Sequence, residues 1–354
     1  MSSPEDVPPE PVVDDKPLPP LEPPSAGFIL QLFVIPMIIV TIIVMVWLMF
    51  SWIAHMGSNP EELVRDLKAA NEASWQKALT LADLLRNPER SDLKRDTALG
   101  TELAGVLEKQ IEAARFDENS IRLRMFVCRA LGEFEVPEVL PALVKAATTE
   151  RDAAELDVRR TALEAIAVFA NKNGSEPVIA DQACMEALKK ASRERTQVDA
   201  EKQARADLRS TAAYVLGVLG GPEALDRLVI LLDDPYPNAR YNAATGLCRH
   251  GDLRAIPVLL EMLDPDNQES GRGEASESGK AYKRLSVINN GIRAASQLIQ
   301  PHAAQDVQPV ADALQEIVDS DLSSFNVRAA REIRRNAKEV LLSMQADKAT
   351  AAAK

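Results

Sequence analysis

The feature that most restricts the fold of this 354-residue chain is an internal repeat with a period of 31 residues. Seven positions match in a row between two copies, from an arginine through a leucine and a glycine to four apolar residues. The first copy contains Arg209, Leu216, Gly220, Leu225, Leu228, Val229 and Leu232, and the second contains Arg240, Leu247, Gly251, Ile256, Leu259, Leu260 and Leu263. Two unrelated helices would not share this register, so the chain repeats one structural unit.

Each unit is predicted to be a helix, a tight turn and a second helix. The last four apolar residues lie at i, i+3, i+4 and i+7, which places them on one face of an α-helix. Gly220 and Gly221 predict the end of the first helix. Pro222 and Glu223 predict the start of the second, where a missing N–H costs little and a carboxylate suits the helix dipole.

Less regular copies extend the repeat in both directions. One begins at Arg124, with Glu135 in place of the turn glycine, and residues 158–167 and 334–342 keep the spacing of arginine, alanine and leucine. Residues 282–318 predict two further helices. We expect five or six helix pairs, and the low aromatic content of 4% also favours helices over strands.

A long apolar segment precedes the repeats. Residues 32–53 contain no charged side chain, and as a helix they would extend about 33 Å, enough to cross a bilayer. A buried core helix is the alternative, although such helices rarely exceed about fourteen apolar residues. A cleavable signal would need a basic start, a shorter apolar stretch and small residues at a cleavage site, which are missing. The sequence predicts a single-pass protein that contacts the membrane through residues 28–54.

Few charges determine the predicted orientation of this span. Lys16 is the only basic residue before it, whereas Arg65 and Lys68 follow closely. The tail before the span also carries six acidic residues, and a short acidic tail moves readily to the positive side of an energised membrane. We therefore expect the N-terminus outside and the C-terminal repeat domain in the cytoplasm.

The repeat motif resembles a known family. R-x-x-A-x-x-x-L-G in the first helix, a Gly or Gly-Pro turn and a leucine-rich second helix are similar to the short HEAT-like repeats first grouped with bilin lyases. The resemblance covers about residues 120–345 and is clearest over 209–263. It implies an all-α protein, a right-handed α-solenoid of HEAT-like helix pairs, here preceded by a single transmembrane helix. The family is used mainly for protein binding and only rarely for catalysis.

These observations divide the chain into seven segments. They are a disordered acidic, proline-rich tail at 1–26, a transmembrane helix at 27–55, an N-terminal helical cap at 56–119, HEAT-like repeats at 120–264, a flexible loop at 265–280, C-terminal HEAT-like repeats at 281–345 and a disordered tail at 346–354. Residues 192–207 are expected to be a second insertion in the array.

Residues suited to catalysis or metal binding are few. The histidines are His55, His250 and His302, and none pairs in sequence with a cysteine or serine nucleophile. Cys248 lies two residues from His250, but a zinc site would need further ligands. Nucleotide and metal motifs such as GxxxxGK[ST] and HExxH are absent. We expect no catalytic residue, no cofactor and no metal site.

The cysteines and the net charge exclude other classes. Cys128, Cys184 and Cys248 are odd in number and lack a CxxC pair, so neither a disulfide framework nor a zinc knuckle is indicated. Thiols inside helices commonly pack as small apolar groups. A net charge of −12 argues against a nucleic-acid partner, because such proteins concentrate lysine and arginine.

One repeat position is always basic, and it allows two interpretations. The arginines concerned are Arg124, Arg159, Arg209, Arg240 and Arg334. They could face anionic groups of a partner, or they could pair with acids just upstream, such as Asp157 and Asp207, and join neighbouring repeats. The structural interpretation is preferred because an interior repeat position recurs whatever the protein binds.

The expected function is that of a membrane-anchored HEAT-repeat scaffold without catalysis. Its partner would be a protein or peptide on the concave solenoid face, which we expect the second helices to form. The alternative is a lyase-like enzyme that holds a chromophore or other ligand in the solenoid groove, for which clustered aromatic and acidic groove residues would be evidence. A third reading is a protein that contacts only itself. The partner, the pathway and the oligomeric state stay open.

Overall fold

A computed structural model describes residues 25–55, 60–68, 73–300 and 306–352. The chain separates into two units, Met1–Gly57 and Ser58–Lys354. The described residues form helices and no strand, as the sequence predicts for an all-α protein. Residues 1–24 of the predicted tail lie outside the described residues.

The N-terminal unit contains the predicted apolar helix. It begins with α1 (Ala26–Ile29), continues through a π-helical turn (Leu30–Val34) and ends with α2 (Ile35–His55). The wide turn precedes Pro36, whose ring lacks an N–H and would clash with the carbonyl four residues earlier in a regular helix. Leu30–Ser51 has a mean hydropathy of 2.9 and no buried side chain. Membrane spans and signal sequences share this length and composition.

The second unit contains sixteen α-helices among its described residues. They are α3 (Pro60–Leu67), α4 (Ser74–Arg86), α5 (Ser91–Lys94), α6 (Thr97–Glu112), α7 (Glu118–Gly132), α8 (Leu140–Thr148), α9 (Glu155–Asn173), α10 (Glu176–Ala180), α11 (Gln182–Ala191), α12 (Asp199–Leu219), α13 (Pro222–Leu231), α14 (Pro237–Arg249), α15 (Ile256–Leu263), α16 (Glu277–Ile299), α17 (Gln308–Asp319) and α18 (Val327–Ala352). The buried core runs from Leu63 to Met344, so it lies wholly within this unit.

These helices form two rows. The first-helix row consists of α4, α7, α9, α12, α14, α16 and α18, each in contact with the next. The second-helix row consists of α6, α8, α11, α13, α15 and α17, which cover one side of the first row. Five helix pairs follow α6 within the described residues, from α7 with α8 to α16 with α17. Because each pair contacts mainly its neighbours, the core is continuous along the array.

The predicted turn between paired helices is confirmed at residues 219–222. Helix α12 ends at Leu219, and α13 begins at Pro222. Gly220 and Gly221 connect them with φ of 70° and 80°, a left-handed backbone that side chains disfavour. A Cβ on Gly220 would also lie 2.3 Å from the His250 ring. Glycine is therefore required here for both conformation and space.

Small residues bring successive first helices close together. The Cβ of an alanine at Gly217 of α12 would lie 2.6 Å from the Cα of Gly246 in α14. Gly132 of α7 makes the same kind of contact with the backbone of Ala165 in α9. The helix axes can approach only because neither surface carries a larger side chain at these crossings.

Three segments that were predicted to be loops or tails contain more structure than expected. Residues 199–207 are the first turns of α12, so the insertion before it shortens to a connection over residues 192–198. In the predicted flexible loop, the buried Asn267 amide donates to the Tyr241 hydroxyl and to the Glu261 carbonyl. The helix α18 continues through residues 346–352, where composition predicted a disordered tail.

The close contact at Gly217 predicts that replacing glycine by alanine has opposite effects on stability at two positions. Gly217→Ala should lower the free energy of unfolding of the 58–354 unit by about 1–3 kcal/mol, since the methyl group forces α12 and α14 apart. Gly105→Ala is the matched control, because the space around Gly105 in α6 is open. This control should stabilise the unit by about 0.5–1 kcal/mol. Urea unfolding followed by circular dichroism measures both, and equal effects would contradict the close approach.

Candidate binding groove

The recurrent arginines Arg124 and Arg209 are buried inside the array and join neighbouring repeats. The Arg124 side chain is 1% exposed, and its Nη1 is 2.6 Å from Glu155 Oε1 on the next first helix. Arg209 is buried as well, and its Nε and Nη2 donate to the two carboxylate oxygens of Asp234 at 2.9 and 3.0 Å. Such two-point pairing fixes both position and orientation.

The other members of this set make different contacts. Arg159 bonds to Glu150 and Glu194, Arg240 Nη2 is 2.6 Å from Glu261 Oε1, and Arg334 donates to two backbone carbonyls of residues 320 and 321. The geometry therefore agrees with the structural interpretation of these arginines. The partners named from sequence were wrong, because Asp157 bonds to Arg160 and Asp207 accepts from Tyr236.

Ionisation of the buried acids is favoured by these contacts. Burial tends to raise the pKa of the Asp234 carboxyl, but hydrogen bonds from Arg209 and from the Tyr236 amide outweigh burial and lower it. The pKa of Glu155 is lowered despite burial for the same reason, with Arg151 and Arg124 as donors. Both carboxylates are therefore charged at neutral pH and hold their arginines in place.

The three cysteines and His250 are held in structural positions among the described residues. Burial raises the pKa of Cys128, Cys184 and Cys248 to about 12, so these thiols stay protonated at neutral pH. His250 Nε2 lies 3.0 Å from the Gly217 carbonyl oxygen and fills the turn beside α12. The part of the chain that the structure describes has no group of three residues suited to a metal ion. His302 lies outside the described residues.

The outer face of the first-helix row carries a long polar groove. One section, of about 710 Å³, lies between α16 and α18, and a second, of about 250 Å³, lies across α12, α14 and α16. Asn290 and Arg293 line both sections, so they are continuous, and we call them together the amide groove. The second helices were expected to form the binding surface, but this groove belongs to the first helices, because the second helices cover their opposite side.

Carboxamide and hydroxyl groups dominate the lining of the amide groove. The polar uncharged residues among them are Asn242, Thr245, Ser286, Asn289, Asn290, Ser296, Gln300, Asn336, Ser343 and Tyr214. Some already bond to each other or to the backbone: Asn336 Nδ2 is 3.2 Å from Asn289 Oδ1, and Asn242 donates to Ser210. An amide offers both a donor and an acceptor, so this surface can match a polypeptide backbone.

Charge is distributed unevenly along the amide groove. Arg249 and Arg293 lie at the α14 end, and neither forms an ion pair with a described residue. Arg249 Nη1 makes a 3.3 Å hydrogen bond to the Gly217 carbonyl. Glu332 and Glu339 line the α18 end. An occupant with an acidic group near α14 and a basic group near α18 would match this arrangement.

A further pocket of about 460 Å³ surrounds Tyr236 and Tyr282 and adjoins the amide groove at Ser286. The Tyr236 hydroxyl donates to Asp207 at 2.8 Å and accepts from the Gln203 and Asn238 amides. Burial and the hydrogen bond to Asp207 raise the pKa of Tyr236 to about 12. This hydroxyl is therefore held in a structural network and is a poor proton donor at neutral pH.

Sequence patterns did not identify the groove residues. Asn242, Asn290 and Asn336 lie on three different first helices, and the repeat motif assigns no residue type to their positions. A usable signal was the unusual number of asparagines in residues 238–290 on otherwise alanine-rich first helices.

Comparison with known proteins identifies the repeat type. Residues 198–278 match the family model described as HEAT repeats. No curated protein matches the chain.

Several solved structures resemble this chain. An engineered protein is 17% identical with a TM-score of 0.35, over 79% of this chain and 97% of that one. The Escherichia coli protein YibA is 20% identical with a TM-score of 0.30, over 80% and 97%. Human deoxyhypusine hydroxylase in complex with glycerol is 17% identical with a TM-score of 0.28, over 76% and 97%. Because these TM-scores are low, the likenesses carry no argument about function.

Removing one charge of a buried ion pair should lower the stability of the fold strongly. Asp234→Asn should lower the free energy of unfolding by about 3–5 kcal/mol, because it leaves the Arg209 guanidinium buried without a counter-charge. Asp226→Asn is the control, since its side chain is 74% exposed and pairs with Arg254 at 3.4 Å. That change should cost less than about 1 kcal/mol. Urea unfolding at neutral pH measures both, and similar losses would contradict the role of the buried pairs.

The lowered pKa of Asp234 also predicts that the stability of the fold decreases at low pH. Because its folded-state pKa lies below the unfolded value of about 3.9, the Asp234 carboxylate stabilises the fold above about pH 4. This stabilisation is lost as the pH falls through the folded-state pKa. The difference in unfolding free energy between wild type and Asp234→Asn should be constant above about pH 5 and narrow below about pH 4. Urea titrations over this range test it. A difference that does not narrow on acidification would show that the pair does not contribute in this way.

Proposed function

We propose that this HEAT-repeat protein is a single-pass membrane scaffold that binds an extended polypeptide segment in the amide groove. The observation that carries the proposal is the lining of that groove, in which carboxamides are dispersed over α14, α16 and α18. Dispersed polar groups favour protein binding over the holding of a chromophore. The membrane span would lie within residues 28–54, and the array would lie in the cytoplasm.

The spacing of the groove amides fits a main chain. Packed helices are about 8–10 Å apart, which equals about three residues of extended polypeptide. Asn242, Asn290 and Asn336 lie on successive first helices, so each can bond to a peptide group about three residues from the next. Backbone recognition of this kind tolerates many sequences. Selectivity would come from the charges at the two ends.

The charged ends of the groove would set the direction of the bound segment. Arg249 and Arg293 favour an acidic side chain, whereas Glu332 and Glu339 favour a basic one. Interior arginines such as Arg205 are committed to carboxylates, here those of Glu150 and Glu194. Arg249 and Arg293 form no ion pair with a described residue and both line the groove, so this end of the groove suits an anionic group.

The alternative function, a lyase-like enzyme, would use the pocket around Tyr236 and Tyr282, where aromatic and acidic residues do cluster. The raised pKa of the Tyr236 phenol and the burial of the three cysteines weigh against it. A purified full-length chain with visible absorbance, or with a small molecule retained in native mass spectrometry, would favour the enzyme.

Charge reversal in the groove tests the scaffold. We would fuse a proximity label after Lys354 and compare wild type with the double variant Arg249→Glu and Arg293→Glu in cells. The matched control is Arg90→Glu with Arg193→Glu, which changes the charge equally outside the groove. Cytoplasmic neighbours should be enriched with wild type and control and should fall by about tenfold or more with the groove variant, as for a lost charged contact.

Two outcomes of the same experiment would contradict the proposal. Neighbours that persist unchanged with the groove variant would exclude the amide groove as the binding surface. Labelling confined to exported proteins would place the array on the other side of the membrane and overturn the proposed orientation. Circular dichroism of the variants must match wild type for either conclusion.

A further inference from the structure

Helix α18 carries a stripe of basic side chains on its solvent side. Arg328, Arg331, Arg335 and Lys338 are all exposed, and the exposed Leu342 continues the stripe. Their spacing of three, four, three and four residues places all five on one face of the helix.

Acidic residues of the same helix do not neutralise this stripe. Glu332 and Glu339 face the amide groove, beside Asn336. Among the described residues, the stripe forms one ion pair, between Arg335 and Glu339 at 3.8 Å, with both side chains about two-thirds exposed. Such an exposed pair contributes little, so four cations remain available to an anionic partner.

We propose that this basic stripe binds the anionic lipid headgroups of a membrane surface. Clusters of four or more lysine and arginine residues on an amphipathic helix suit acidic lipids, and Leu342, 52% exposed, supplies an apolar side chain at the same level. A flat surface fits the stripe because it follows one straight helix face over several turns. The α2 span would keep such a surface within reach of the chain.

The negative net charge of the protein determines which surface can face an anionic membrane. At −12 the chain as a whole is repelled by an anionic surface, so only a local concentration of positive charge can approach it. Arg334, the recurrent arginine of α18, points inward to the carbonyls of residues 320 and 321 and takes no part. Apart from the pair of Arg335 with Glu339, the stripe shares no residue with the lining of the amide groove, so the two proposals are tested separately.

Vesicle binding by the 58–354 unit tests the stripe, since this unit contains the complete core. The probes are vesicles of phosphatidylcholine alone and of equal parts phosphatidylcholine and phosphatidylglycerol, measured by co-sedimentation. Wild type should bind only the anionic vesicles. The quadruple variant Arg328→Gln, Arg331→Gln, Arg335→Gln and Lys338→Gln should bind them about 600-fold more weakly, since each basic residue contributes about a fivefold factor.

A control variant with the same charge change and a soluble polyanion complete the test. The variant Lys109→Gln, Arg115→Gln, Lys190→Gln and Arg193→Gln removes the same charge from exposed sites elsewhere and should bind like wild type. Equal losses in both variants, or equal binding to both vesicles, would overturn the proposal. Binding of soluble polyglutamate without binding of vesicles would also overturn it and would assign the stripe to an acidic polypeptide instead.

Discussion

The array depends on the buried ion pairs that join one repeat to the next. A HEAT-type unit has no core of its own, so its stability comes from the contact with its neighbours. Apolar burial drives that contact but does not define its register, since leucine packs against leucine in many arrangements. The bonds of Arg209 to both oxygens of Asp234, and of Arg124 to Glu155, exist in one arrangement only. The ion pairs therefore select one packing arrangement of the repeats. Burying their charges costs free energy, and this cost rises once one partner of a pair is lost.

The same pairs explain why the groove can remain open to a partner. The ion pairs and the second helices are confined to the interior and to one side, so the outer face of the first helices is left open. Apart from the crossing of Gly217 with Gly246 and the bond of Asn242 to Ser210, its side chains take little part in packing, and here they are amides and hydroxyls with two arginines at one end. A scaffold built in this way separates the residues that fold it from those that bind. Groove changes can therefore alter binding with little loss of stability.

The sequence predicted those parts of the structure that recur. The 31-residue period located the turn at Gly220 to Pro222, the helix pairs and the interior arginine position. It could not name the partner acids, because Glu155 and Asp234 occupy different positions relative to their arginines. Composition predicted a flexible loop at residues 265–280 but could not show that Asn267 within it is buried, since a polar residue can be buried once all its hydrogen bonds are made. Groove residues were missed because exposed positions obey no packing rule.

The location of the ion pairs at the borders between repeats has an evolutionary consequence. Several borders carry such an exchange, in which an arginine of one unit is held by acids next to it, as Arg159 is held by Glu150 and Glu194. A duplicated or deleted segment of whole-repeat length would restore a complete border at its junction. A shorter insertion within a helix would break one. Gene duplication could thus lengthen or shorten the array in whole units, and the length of the peptide that it accepts would change in equal steps.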